Sequence, residues 1–287
     1  MKFLYGHAES IMILLIDVGN TRIKAGFFQP GQAIRNPCVV TLLHDQIHRL
    51  PEQVRTLCRQ HALGDRIAGA LGVSVASETV GHHLDEHLKN AFDIQARWLD
   101  GATPVPGMVN HYDNPARLGA DRWLAMVGIA GLAGDEPVLL ATFGTATTVD
   151  ALSKQGETHH FLGGLILPGP DLMRHALTSG TARLPHADIT LAAFPCHTHQ
   201  AIATGIAAAQ AGAVCRQYSA LFRQTGRPPV VLCSGGGWPA VEAEIQASLL
   251  DRQRELRLPQ REARWIEAPV LDGLARVASS AQHDTLR

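Results

Sequence analysis

Two stretches of this chain repeat one pattern, and the repeat limits the folds open to it. Residues 13–28 read ILLIDVGNTRIKAGFF and residues 139–153 read LLATFGTATTVDALS. At one fixed offset Leu14 matches Leu139, Leu15 matches Leu140 and Gly19 matches Gly144, and the turn Asn20-Thr21 matches Thr145-Ala146. In the first copy an apolar run from Ile11 to Ile16 meets a single acid, Asp17, followed by the turn Val18-Gly19-Asn20-Thr21. Polar and apolar residues then alternate from Arg22 to Phe27. A continuous apolar run predicts a strand buried on both faces, and the alternation predicts its hairpin partner. Gly and Asn tolerate the positive φ of a tight turn. Such a turn can aim several backbone N–H groups at one anion, with the acid placed to hold a metal beside it. An ordinary hairpin with a polar tip is the alternative for either copy alone. Internal duplication favours one hairpin in each of two similar domains.

The bulk numbers exclude several classes. At 287 residues the chain suits two domains of modest size, and its 46% hydrophobic content supports a real core. A formal net charge of −1 gives no electrostatic reason to expect nucleic acid or a membrane surface as partner. The five cysteines (38, 58, 196, 215 and 233) are scattered without a CxxC pair, which fits a reducing cytoplasm. No apolar run reaches the ~18 residues of a membrane span, and the start MKFLYGHAES lacks the hydrophobic stretch of a signal peptide.

Along the chain, strands are expected at 38–43, 66–77 and 94–98, with helices at 52–61 and 79–92, the latter capped by Thr79. His82, His83 and His87 on that helix read as a solvated face, since no carboxylate or Cys completes a metal set. Residues 100–117 read as a Gly/Pro-bearing connection. Residues 119–133, GADRWLAMVGIAGLA, form an almost wholly apolar helix, to be buried at the domain junction or against a second subunit, with Gly128 and Gly131 permitting close approach. Gly163, Gly164 and Gly169 read as turn residues, and 170–178 as a short helix. The cluster Cys196, His197 and His199 near His186 lacks four evident zinc ligands. Strand 229–233 runs into Ser234-Gly235-Gly236-Gly237, where an adenosine could lie on bare backbone, and Pro239 opens a helix from Ala240 to Leu250. A last helix covers 271–279, with a frayed tail after it. No Walker motif and no GxGxxG occurs.

The residue types describe phosphoryl transfer. Asp17 suits a metal-side acid, and Gly19, Asn20, Thr21 and Lys24 suit the β/γ-phosphates, as do Gly144, Thr145 and Thr147 of the second copy. Asp121 at a helix start sits at the positive dipole end and could take a proton from an attacking hydroxyl. Arg122 offers a two-point fork for a carboxylate. Together the pair describes a small hydroxy acid as substrate. Capping plus a surface ion pair is the bland alternative.

The ordered set DVGNTRIK (17–24), YDNPARLGADRW (112–123), FGTATTVD (143–150), GGLILPG (163–169) and GTARLP (180–185) resembles the type III pantothenate kinase family. That family belongs to the superfamily of acetate kinase, sugar kinases, heat-shock chaperone ATPases and actin. The resemblance implies an α/β fold of two ribonuclease-H-like domains with nucleotide in the cleft between them. The domains would be 1–116 and 117–287, the second including the linking helix 119–133. Met12 stands where family chains usually begin, which marks 1–11 as an extension. The implied reaction is ATP-dependent phosphorylation of pantothenate to 4′-phosphopantothenate, the first step towards coenzyme A. The implied ATP and phosphate set is Asp17, Val18, Gly19, Asn20, Thr21, Arg22, Ile23, Lys24 and Thr145, with Mg²⁺ on Asp17. Asp121 is the implied base. Tyr112, Gly119, Ala120, Asp121, Arg122 and Thr181 would contact pantothenate. The family holds potassium or ammonium with an Asp where this chain has Thr142. It also implies a cytoplasmic homodimer, with the apolar helix 122–133 as an interface, and no nucleic acid or membrane. Some relatives resemble accessory factors for virulence regulation, which keeps a binding role as the alternative; a full set of Asp17, Asp121 and Arg122 favours an enzyme.

Overall fold

The computed structural model describes residues 11–64, 66–178 and 191–284. In chain order its first elements are β1 (Ile11–Val18), β2 (Arg22–Phe28), β3 (Val39–Leu43), α1 (Leu50–Gln60), β4 (Arg66–Ser74), α2 (Glu78–Phe92), β5 (Ala96–Trp98), β6 (Met108–Asn110) and α3 (Ala120–Ile129). They are followed by β7 (Val138–Phe143), β8 (Ala146–Gln155), β9 (Thr158–Pro168), α4 (Pro170–Thr178), α5 (Thr198–Thr225), β10 (Val230–Ser234), α6 (Glu242–Glu255), β11 (Arg264–Trp265) and α7 (Pro269–Asp284). The chain divides into two compact units: Met1–Pro106 with Asp113–Ile129 and Ala268–Arg287, and Gly107–Tyr112 with Ala130–Glu267. The division differs from the boundary expected at 116/117, because α3 and α7 pack with the first sheet.

In the first unit the sheet order is β3-β2-β1-β4-β5. β1, β2 and β3 form an antiparallel meander, and β4 and β5 run parallel to β1. The unbroken apolar run of β1 follows from burial on both faces. Leu14, Ile16 and Val18 join Ile23, Ala25 and Phe27 in one core with Leu50 and Val54 of α1 and Leu84 and Leu88 of α2. The opposite face is covered by α7, whose Leu271 lies where a Cβ on Gly26 would meet it at 3.1 Å. Ile11 and Met12 are strand residues, and Met12 is buried, so Ile11, expected in the extension, belongs to β1. The extension expected at 1–11 otherwise lies outside the described residues.

The second unit repeats the plan. Its order is β11-β10-β7-β8-β9-β6, with an antiparallel β7-β8-β9 meander and β10 and β11 parallel to β7. Leu139, Ala141, Phe143, Val149 and Ala151 pack with Ala207, Ala211, Val214 and Tyr218 of α5 and Ile245 and Leu249 of α6. Both sheets thus carry the ribonuclease-H-like strand order, as the duplicated hairpins predict.

Several expectations are corrected. The connection 100–117 holds β6, which pairs with β9 and so belongs to the second sheet. Its three residues are too short to show a period. The helix expected to 133 stops at Ile129, two residues before Gly131 at φ 101°. Gly163 and Gly164 are strand residues: β9 bulges where Ala151 faces Gly163 and Leu152 faces Phe161, and Gly163 takes φ 104° there. Ser77 rather than Thr79 precedes α2, with no side-chain cap bond. Pro239 lies in a 3₁₀ turn (Trp238–Ala240), and α6 starts at Glu242. The last helix runs from Pro269 to Asp284, through part of the expected tail.

The apolar helix α3 also has its explanation within one chain. Trp123, Leu124, Met126, Val127 and Ile129 are all buried, with α7 packed against the helix. Gly128 and Gly273 let the two backbones meet: a Cβ on Gly128 would collide with the Pro269 carbonyl, and one on Gly273 with the Leu124 carbonyl. Its apolarity therefore no longer argues for a second subunit. Gly128→Ala must push α7 away, and overpacking of this kind costs about 1–3 kcal/mol. The expected outcome is an unfolding free energy lowered by that amount, seen as a lower urea midpoint with an unchanged m-value.

Candidate active site

The turn after β1 is tied at three points within its unit. Gly19 N–H donates to Arg22 O at 3.0 Å, Val75 N–H donates to Val18 O at 2.9 Å, and the Gly19 carbonyl lies 2.8 Å from His44 Nε2. Asn20 and Thr21 are exposed at its tip. Asp17 pairs across the hairpin with Lys24. Its surface is only partly open, and the dense packing around it pushes its pKa up to about 6. Lys24 opposes that rise and the charge of Asp121 adds to it. Asp17 and Asp121 therefore share one field.

Asp121 is the second residue of α3, in the first turn, where helix N–H groups lack intrahelical partners. Its Oδ1 accepts from Arg122 N–H at 2.8 Å. Burial raises its pKa, opposed by that bond and by the Arg122 charge. Gly119 precedes it because a Cβ there would come within 2.7 Å of Asp121 Oδ1. Arg122 is buried at 6% exposure. Trp123 Nε1 donates to Thr103 O at 2.9 Å and fixes the start of the helix. The structure thus gathers Asp17, Val18, Gly19, Asn20, Thr21, Arg22, Ile23, Lys24, Gly119, Ala120, Asp121 and Arg122 in the first unit. Ile23 and Ala120 are buried and act through packing or backbone alone.

The other expected residues lie elsewhere. Tyr112 follows β6 in the second unit, stacked on Phe161 with ring centroids 6.0 Å apart. Thr181 and the motif 180–185 lie outside the described residues, as does His186. The second hairpin turn is one residue shorter than the first. Val18 pairs with Ile23 but Phe143 pairs with Thr147, so Ala146, expected in the turn, begins β8. Gly144 N–H donates to Ala146 O at 3.0 Å, and Gly169 N–H donates to Thr145 O at 3.0 Å. A Cβ on Gly169 would collide with the Gly144 carbonyl. Gly237 N–H donates to Phe143 O at 2.8 Å, and Gly235 at φ 95° lies against the Phe143 backbone. Glycines from three segments thus converge on the end of β7, which leaves bare backbone around Thr145. Thr147, expected to hold phosphate, is fully buried in β8, so it supports the strand rather than lining a surface. Thr142 sits in β7 between Thr148 and Ser234.

Among the described residues no three His, Cys, Asp or Glu side chains group for a metal. His197 caps α5 instead, its Nδ1 accepting from Gln200 N–H at 3.4 Å. His82 and His83 are exposed and His87 is half-buried. The donors that do fit a hard cation are the oxygens of Asp17, with Asp121 in the same field. One or two carboxylates plus substrate phosphates is the usual Mg²⁺ set. A polar contact at the hairpin that sequence reasoning missed is His44, for which the linear chain carries no motif.

Asp17 binds its proton more tightly folded than unfolded. Stability of the nucleotide-free protein therefore falls as pH rises through the interval from about 4 to about 6, and above it the ionised carboxylate is a standing cost. Asp17→Asn is expected to raise the nucleotide-free Tm at pH 7, with the gain gone by pH 4, as read by thermal melts at both values.

Comparison with known proteins bears on the site. The family model described as type III pantothenate kinase matches residues 13–220. A protein of Bordetella pertussis named type III pantothenate kinase is 44% identical over 273 residues, covering 93% of this chain and 98% of its own. One of Bordetella bronchiseptica with the same name is 43% identical over 272 residues, with the same coverage. A crystal structure from Campylobacter jejuni, described as a conserved Baf family transcriptional activator, superposes with a TM-score of 0.51 at 20% identity, covering 94% of this chain and 99% of its own. That last likeness is one of fold.

Proposed function

From a chain that belongs to the type III pantothenate kinase family, we infer transfer of the γ-phosphoryl group of ATP to the 4′-hydroxyl of pantothenate, giving 4′-phosphopantothenate for coenzyme A synthesis. The observation that carries the inference is the likeness to curated kinases across nearly the whole chain, with Asp17, Asp121 and Arg122 all in place. The accessory-factor reading is not favoured. Two carboxylates with raised pKa values are costly to keep at neutral pH, and simple packing does not require them.

The chemistry of the residues and the family resemblance support the following roles. Asp121 accepts the proton of the attacking hydroxyl; burial raises its pKa and so makes it a stronger base than an ordinary Asp, a rise that the Arg122 N–H and charge oppose. Arg122 grips the pantothenate carboxylate, and the family resemblance adds Gly119, Ala120, Tyr112 and Thr181 as pantothenate contacts. Val18 to Lys24 hold the phosphates through turn N–H groups and the charges of Arg22 and Lys24, and Thr145 serves in the second hairpin. Asp17 is the residue to hold Mg²⁺, which supplies neutralisation of the developing phosphate charge. The family resemblance further supports a cytoplasmic homodimer; among the described residues no helix is long and apolar enough to cross a membrane. The experiment is ADP release measured with and without pantothenate, with the product mass identified. Release that does not depend on pantothenate would refute the reading.

Asp121→Asn cannot accept the hydroxyl proton. Turnover is expected to fall ~10²-fold or more with nucleotide affinity unchanged, as steady-state kinetics and calorimetry would show.

Thr142 bears on the monovalent cation. A hydroxyl is a neutral ligand, so this chain lacks a full charge that the family's Asp would supply. Thr142→Asp is expected to lower the potassium concentration for half-maximal activity, measured at fixed ionic strength. Unchanged potassium activation would exclude Thr142 from that site.

A further inference from the structure

We propose that His44 is the positioning residue of the first phosphate-binding turn. By holding the Gly19 carbonyl it orients the 19–20 peptide so that Asn20 N–H faces the polyphosphate of a nucleotide. The proposal rests on the kinase reading above, and it adds a residue to which no motif or comparison assigns a role.

The geometry comes from three elements of the first unit. β3 pairs with β2 so that Leu43 stands opposite Arg22, the first residue after the turn. His44 is the next residue, opening a 3₁₀ turn (His44–Arg49), and its half-buried ring reaches back to the hairpin. Nε2 lies 2.8 Å from the Gly19 carbonyl oxygen. A carbonyl oxygen only accepts, so Nε2 carries the proton and donates. The peptide between Gly19 and Asn20 is trans, as there are no cis bonds among the described residues. In a trans peptide C=O and N–H point in opposite directions. Holding the carbonyl on His44 therefore turns Asn20 N–H the other way, and it withdraws from the anion the dipole end that would repel it. Two further ties at this turn, Gly19 N–H to Arg22 O and Val75 N–H to Val18 O, engage the peptide before Gly19 rather than the 19–20 peptide. Glycine at position 19 makes that clamp necessary, because it restrains its own ψ least.

The second hairpin has a parallel device made of backbone. There Gly169 N–H holds the Thr145 carbonyl at 3.0 Å. Each turn thus has a carbonyl within its loop, Gly19 or Thr145, taken by a donor from outside the hairpin, a side chain in one case and a main-chain N–H in the other.

The test separates the hydrogen bond from the ring's packing. His44→Phe keeps the ring and loses the donor. His44→Gln places an amide N–H near the depth of Nε2. His44→Asn is a second loss variant, too short to reach. MgADP affinity is read by calorimetry, and KM for ATP and for pantothenate by kinetics. One neutral hydrogen bond is worth about 1 kcal/mol, or about 5-fold. The expected result is MgADP binding and ATP KM weakened about 5-fold or more in the Phe and Asn variants, restored to within about twofold by Gln, with pantothenate KM unmoved. Loss variants within about twofold of the native protein would overturn the proposal. So would a Gln variant as weak as Phe, or pantothenate KM rising in step with ATP KM. The calorimetric arm needs no acceptor, so it reports on His44 even where pantothenate proves not to be the substrate.

Discussion

Two carboxylates withheld from water set the terms for the rest of the structure. Asp17 is the last residue but one of β1, the central strand of the first sheet, and Asp121 is the second residue of α3, the most buried helix of that unit. Both are raised by burial, and the charge of Asp121 raises Asp17 further. An arrangement that costs stability at neutral pH is what the proposed use of the pair, by a cation and a reacting hydroxyl, would account for. The partners around the pair oppose the cost without removing it. Lys24 stands across the hairpin, and the Arg122 N–H and guanidinium bear on Asp121.

The scaffold serves that placement. β1 lies at the centre of its five-stranded sheet, with α1 and α2 on one face and α7 on the other, so Asp17 has little freedom to move. The α3–α7 contact through Gly128 and Gly273 does the same for Asp121. Rigid elements rather than loops carry both acids, as catalytic positioning requires. The second unit repeats the strand order with glycines clustered where β7 ends, which exposes backbone rather than side chains.

What could be read from the linear chain was what local pattern dictates. The two hairpins, the central buried strand and the helix beginning at the Gly-Ala-Asp-Arg run all follow from periodicity and turn chemistry, and the motif set led to the right family. What escaped depends on contacts between distant residues. β6 is a strand only because β9 offers it an edge. The Gly163 bulge exists because Leu152 pairs one residue out of step. The apolarity of α3 reads equally well as an interface or a core until α7, nearly 150 residues further on, is seen against it. His44 meets Gly19 through the register of β3 on β2, which sequence alone does not specify. The shorter second turn likewise breaks the fixed offset only when the strand pairs are known.

A pKa near 6 means that Asp17 carries a proton in part of the nucleotide-free protein at pH 6, and the release of that proton on binding a metal–nucleotide complex has a direct measurement. Calorimetric binding of MgADP at pH 6, repeated in buffers of different ionisation enthalpy, reports protons released. The account predicts release of a substantial fraction of one proton from the native protein, shrinking as pH rises above 7 and absent in Asp17→Asn. Heats that do not depend on the buffer, or a proton release that survives Asp17→Asn, would contradict it.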